Sequence, residues 1–115
     1  MSVTIYHNPR CSKSRQTLAL LEERGIAPDV VLYLETPPDA ATLDGLLTAL
    51  DMEPRDLMRK KEEPYKALGL AEDGKSRDDL IAAMAANPIL IERPIVTKGG
   101  KAALGRPPGN VLDIL

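Results

Sequence analysis

Apolar positions in this chain fall into blocks whose spacing changes along its length. Val3-Thr4-Ile5-Tyr6 predicts a short strand. Residues 11–24 read as a helix, with Leu18, Ala19 and Leu21 forming an apolar stripe. Gly25 stands just past its end, where a left-handed residue belongs. Pro28 then precedes Val30-Val31-Leu32-Tyr33-Leu34, a continuous apolar run suited to a buried strand. Strand, helix and strand within so short a stretch predict a βαβ unit with a right-handed crossover.

The pattern then becomes helical. Pro37-Pro38-Asp39 breaks the chain and caps a helix whose buried face is Leu43, Leu46, Leu47 and Leu50. Pro54 occupies a first helical position ahead of Leu57 and Met58. Glu63-Pro64-Tyr65 restarts a short helix that Gly69 closes. Ser76 and Asp79 have capping-box spacing, and Leu80, Ile81 and Met84 continue that helix to Asn87-Pro88. The middle of the chain is therefore expected to be all helical.

Ile95-Val96-Thr97 and Ala102-Ala103-Leu104, joined through Lys98-Gly99-Gly100-Lys101, predict a β-hairpin. A break at 106–110 precedes a terminal helical turn over Val111–Leu115. The expected organisation is a single α/β domain over 1–115. A βαβ half (1–36) and a ββα half (92–115) flank an all-helical insertion (37–91). Without the insertion, that order is the order of a thioredoxin-like domain.

Composition narrows the possibilities. The core must be aliphatic, because the 115 residues include three Tyr and neither Trp nor Phe. A net charge of −2 argues against a general nucleic-acid binder or a polybasic membrane anchor. No apolar run approaches the roughly 20 residues that span a bilayer. An N-terminal apolar run is also lacking, so a cytoplasmic location is expected. The single cysteine, Cys11, rules out an internal disulfide. With His7 the only histidine, no metal site is expected.

Cys11 carries the most informative chemistry. It follows the first strand and the loop His7-Asn8-Pro9-Arg10, and it opens the helix. A thiol there meets unpaired backbone N–H groups and the positive end of the helix dipole, both of which favour the thiolate. Arg10, Lys13 and Arg15 add positive charge nearby. Ser12 and Ser14 are candidate helix caps, and Ser14 is also a candidate hydrogen-bond donor to the thiolate.

Several blocks are specific beyond this. Residues 7–15, His7-Asn8-Pro9-Arg10-Cys11-Ser12-Lys13-Ser14-Arg15, resemble the active-site loop of the glutaredoxin-coupled arsenate reductase family. Residues 32–38 resemble that family's second-strand exit, and 58–65 (Met58-Arg59-Lys60-Lys61 and onward) its helical-insert motif. Residues 87–96, containing Glu92-Arg93-Pro94, resemble its late-strand motif. Gly105-Arg106-Pro107-Pro108 and 111–115 resemble its C-terminal segment.

The resemblance implies a thioredoxin-like, mixed four-stranded sheet flanked by helices. It implies Cys11 as nucleophile, His7 as a catalytic-site histidine, and Arg59, Arg93 and Arg106 as oxyanion-binding residues. Ser14 and Arg15 are read as supporting residues, and Pro94 as a cis-proline beside the thiol. The implied reaction begins with attack of the Cys11 thiolate on arsenate. Glutathione then attacks the arsenic, glutaredoxin removes the glutathione, and arsenite leaves. Glutathione is a co-substrate in this scheme, and no tightly bound cofactor is implied.

Elementary chemistry agrees with that assignment. Arginine forks suit a tetrahedral anion. A thiolate approaching such an anion at 4 Å meets about 4 kcal/mol of repulsion per pair of unit charges at an effective dielectric near 20, so neutralising charge is part of the chemistry. Two other classes compete. A redox-related regulator of this fold that binds RNA polymerase would sense by a C-x-x-C pair, but Ser14 occupies the second position. A general glutathione-dependent thiol oxidoreductase would need Cys11 but little from Arg59. Taken alone, Arg59-Lys60-Lys61 reads as a solvated helix face.

Overall fold

The computed structural model describes residues 2–115. They divide into two compact units. One comprises the residues up to Thr36 together with Arg93–Leu115, and the other is Pro37–Glu92. The second boundary falls one residue beyond the expected edge of the insertion.

The first unit is built on a four-stranded sheet. Its strands are β1 (Val3–His7), β2 (Asp29–Leu32), β3 (Ile95–Lys98) and β4 (Lys101–Leu104), in the order β2-β1-β3-β4. β1 pairs parallel with β2 and antiparallel with β3, and β3 pairs antiparallel with β4. Ile5 lies opposite Val30 on one side and Val96 on the other. Helix α1 (Ser12–Glu23) makes the crossover, and Gly25 beyond it takes φ +76, a conformation costly for any residue with a Cβ. In the hairpin only Gly99 of the two turn residues has positive φ, the pattern of a II′ turn.

A β1 strand with alternating burial directs Val3, Ile5 and His7 to one face. There Val3 and Ile5 pack with Leu21, Val96 and Val111, the last from a 3₁₀ segment, Pro108–Ile114. This mixed sheet with flanking helices is the thioredoxin-like arrangement.

The run Val30–Leu34 is not a fully buried strand. β2 stops at Leu32 on the edge of the sheet, Val30 is 46% exposed, and Tyr33 turns away into burial. An edge strand has a neighbour on one side only, so an apolar run there does not require cover on both faces.

The second unit contains α2 (Ala40–Leu50), α3 (Glu63–Ala67), α4 (Arg77–Ala86) and two 3₁₀ turns, Pro54–Leu57 and Pro88–Leu90. Leu43, Leu46 and Leu47 of α2 and Leu80, Ile81 and Met84 of α4 are buried, and the two helices pack together. The helix starts follow the local sequence closely. Asp39 accepts from the Thr42 N–H at 2.8 Å, and Ser76 and Asp79 form a reciprocal capping box.

The unit is not wholly helical, because Met58 and Ile91 form an isolated antiparallel bridge. Around it Arg59 N–H donates to Leu90 O at 2.7 Å, and Glu92 N–H donates to Leu57 O at 2.7 Å. Among the described residues, no helix is long and apolar enough to cross a membrane.

Candidate active site

The Asn8–Arg10 loop carries the chain from β1 into α1, and α1 itself holds that loop in place. Ser14, fully buried in the first turn of the helix, accepts the Asn8 N–H at its hydroxyl oxygen (3.0 Å) and lies 2.7 Å from His7 Nδ1. The Asn8 side chain accepts from the Arg10 N–H at 3.0 Å, and the Cys11 N–H donates to Asn8 O at 3.0 Å. Arg15 donates from Nη1 to Pro9 O at 2.9 Å. These bonds place Cys11 as the N-cap residue of α1, with an extended backbone (φ −94, ψ 124). No acidic residue occupies the first turn, so nothing there offsets the positive end of the helix.

Two arginines of the same unit converge on the sulfur. Arg106 Nη1 lies 4.0 Å from Cys11 Sγ and donates to the Arg93 carbonyl at 3.2 Å. Asn110 Nδ2 donates to Arg106 O at 3.1 Å, which steadies the loop that carries the guanidinium. Arg93 leads into β3, and both its bond to Pro94 and the Arg106–Pro107 bond are cis.

Electrostatics at Cys11 is a contest with a clear winner. Burial pushes the thiol up. The Ser14 N–H, the Arg93 charge, the Lys13 N–H and the Arg106 charge pull it down, and the net shift is below the ordinary cysteine value. As a thiol the sulfur closes no capping hydrogen bond, so these donors act chiefly on the thiolate. Cys11 is only 9% exposed, yet two guanidinium charges and two backbone amides act on its sulfur.

His7 behaves differently. Burial and then the Arg15 charge hold its pKa below the usual histidine value, so its ring is neutral at physiological pH. It reaches the nucleophile through Ser14 rather than as a cation beside the sulfur. The Ser14 hydroxyl is committed to His7 and Asn8, and it is the Ser14 backbone amide that favours the thiolate.

The model of the ArsC family matches residues 6–114. The chain belongs to the ArsC family. It is 61% identical to the uncharacterized protein YfgD of Escherichia coli K12 over 114 residues, covering 98% of this chain and 96% of that one. It is 51% identical to an arsenate reductase of Neisseria meningitidis serogroup A, covering 98% and 97%. An arsenate reductase structure from Vibrio cholerae superposes with a TM-score of 0.97 at 59% identity, covering 100% of this chain and 98% of that one.

Of the sequence-derived site residues, the first unit brings together Cys11, His7, Ser14, Arg15, Arg93, Pro94 and Arg106. Arg59 belongs to the second unit. It is not on a helix face. It follows the Met58 bridge, and its Nη1 lies 2.9 Å from Glu62 Oε1, with both side chains about a quarter exposed. A pair so exposed contributes little and leaves the fork able to exchange partners.

Two further residues shape the site without having stood out in the sequence. Asn8 organises the loop through both its backbone and its side chain. The Asn-Pro dipeptide was a turn signal that could have pointed to it. Gly105 is the second. A Cβ there would lie 2.6 Å from Thr17 Oγ1 and 2.8 Å from Pro94 Cγ, and the Gly105 N–H donates to Pro94 O at 2.9 Å. Only a residue without a side chain lets α1, Pro94 and the Arg106 loop approach this closely.

Proposed function

We propose that this chain is an arsenate reductase working through its single cysteine. One observation carries the reading: a sulfur at a helix N-terminus, shifted toward the thiolate, with the charges of Arg93 and Arg106 directed at it. That arrangement suits a nucleophile whose target is itself an anion. Fixed guanidinium and amide donors offset the repulsion between the two and stabilise charge as it redistributes. The relatives named arsenate reductases support the choice of anion.

In the proposed sequence Cys11 sulfur attacks arsenic, a sulfur–arsenic bond forms, and a hydroxyl group leaves as water after taking up a proton. Arsenic remains pentavalent. Glutathione sulfur then replaces a second hydroxyl, again with loss of water. A glutaredoxin thiolate attacks the glutathione sulfur and forms a mixed disulfide. The electron pair of the broken sulfur–arsenic bond stays on arsenic, which becomes trivalent. Water releases arsenite and returns the Cys11 thiol. Two external thiols supply the two electrons, because this chain has no second cysteine to form a disulfide with Cys11. The resemblance adds Arg59 as a third oxyanion-binding residue.

The test is an assay coupling arsenate, glutathione and glutaredoxin to NADPH oxidation through glutathione reductase. Turnover that requires all three components and vanishes in Cys11→Ser supports the reading. An inactive wild-type chain under these conditions rejects it.

A further inference from the structure

The loop that leads to Cys11 has two flanks. β1 lies inside the sheet, with β3 on one side and β2 on the other. Arg93, leading into β3, and Arg106, following β4, belong to the β3 side. On the β2 side is a cleft of about 340 Å³, within the roughly 300–1,000 Å³ of small-molecule sites. β1 and β2 are parallel, with His7 opposite Leu32, so the chain leaves both strands at the same end of the sheet. Open α/β sheets take ligands at the carboxyl ends of such strands. His7, Asn8, Pro9 and Arg10 line the cleft from the end of β1 and the first loop, and Leu32, Leu34 and Glu35 line it from the end of β2 and the second.

The lining has a distinct chemistry. Leu34 is 44% exposed, and Arg10 and Glu35 are both exposed. Among the described residues these two opposite charges do not form an ion pair with each other. Beside the polar groups of His7 and Asn8, the cleft therefore offers one cation, one anion and an apolar surface, immediately before the nucleophile in the chain. A lone anion would meet Glu35, and a simple hydrophobe would leave both charges unused. A small zwitterion with an apolar stem matches all three features.

We propose that this cleft binds the thiol co-substrate, a zwitterionic thiol peptide of the glutathione type. Arg10 takes a carboxylate, Glu35 takes the α-ammonium, and Pro9 and Leu34 pack against its methylene groups. Its sulfur then reaches arsenic from the flank opposite Arg93 and Arg106, so the two substrates do not compete for the same donors. The assignment rests on the arsenate reading above, which requires an external thiol.

The experiment has two arms. In the first, Glu35→Lys and Leu34→Asp are assayed with glutathione varied at saturating arsenate and glutaredoxin. The KM for glutathione is expected to rise about fivefold, the effect of one exposed charge contact, with the KM for arsenate unchanged. In the second, the unreactive S-methylglutathione is titrated into the wild-type chain and followed by amide NMR. Shifts at Leu34 and Glu35 are expected, and they should be lost in Glu35→Lys.

Unchanged glutathione KM values in both variants, or no shifts in the cleft, overturn the proposal. So does a rise confined to the KM for glutaredoxin, which would assign the cleft to a protein partner. The second arm needs no turnover, so it tests the cleft even where arsenate reduction itself is absent.

Discussion

The two long helices of the second unit, α2 and α4, start in the opposite way to α1 of the first. In the second unit, α2 begins with the Asp39 carboxylate on a backbone N–H, and α4 begins with the Ser76–Asp79 box. In each helix a local side chain accepts one of the first-turn N–H groups. α1 begins with Cys11, has no side-chain cap bond and no acid in its first turn, and instead directs its amides at a sulfur. The interiors differ in the same sense. Every buried polar or charged residue among the described residues (His7, Asn8, Ser14 and Thr17) lies in the first unit. The buried side chains of the second are leucine, isoleucine, methionine and proline. The lesson is that α1 gives up local capping so that its N-terminus can favour an anion, and a buried polar network supplies the order that a cap would have given.

Breaking this contrast should have graded effects. Cys11→Ser removes the only thiol and is expected to abolish arsenate reduction, with circular dichroism unchanged. Arg106→Ala and Arg93→Ala each remove a charge that favours the thiolate. Each should lower kcat/KM for arsenate by about 10- to 100-fold.

The same variants carry a pH signature. A depressed thiol pKa keeps the thiolate present at lower pH, and the reactive fraction falls as pH drops through that value. The midpoint of the iodoacetamide alkylation rate should lie below that of an ordinary cysteine in the wild type. It should move upward in Arg106→Ala.

Ser14→Ala leaves the buried Asn8 N–H and the His7 ring without their shared partner. It should cost about 1–3 kcal/mol in chemical denaturation and slow alkylation of Cys11 as the loop loosens. Gly105→Ala forces Thr17 or Pro94 to give way. It should lower kcat/KM by about tenfold through displacement of Arg106, with little change in the far-ultraviolet spectrum. The smallest effect belongs to the second unit. Ser76→Ala loses a surface cap, should cost about 1 kcal/mol by thermal melting, and should leave the alkylation rate unchanged.

Parts of this molecule were open to reading from residue order alone. Asp39, Ser76 with Asp79, and Gly25 act through their immediate neighbours, so their roles follow from local spacing. The resemblance groups Cys11 with Arg59, Arg93 and Arg106; the charges of Arg93 and Arg106 act on the sulfur, whereas Arg59 belongs to the second unit and pairs with Glu62. The apolar run at 30–34 misled because apolarity does not say whether a strand is central or at an edge, and Val30 is at an edge. Ser14 is a further case. Its place in the first turn suggested a donor to sulfur, whereas its hydroxyl serves His7 and Asn8 and its amide serves the sulfur.

The sequence by itself determined where helices and strands begin, which faces are apolar, and that all thiol chemistry must pass through one sulfur. Those properties depend on neighbours within a few positions or on mere presence in the chain. Only the tertiary structure decided that Arg106, from the far end of the chain, comes 4.0 Å from Cys11 Sγ, and that Gly105 is the residue permitting it. The reason is physical: those facts depend on how separate segments fill the same space, and pairing and packing of the sheet, rather than the order of residues along it, determine that.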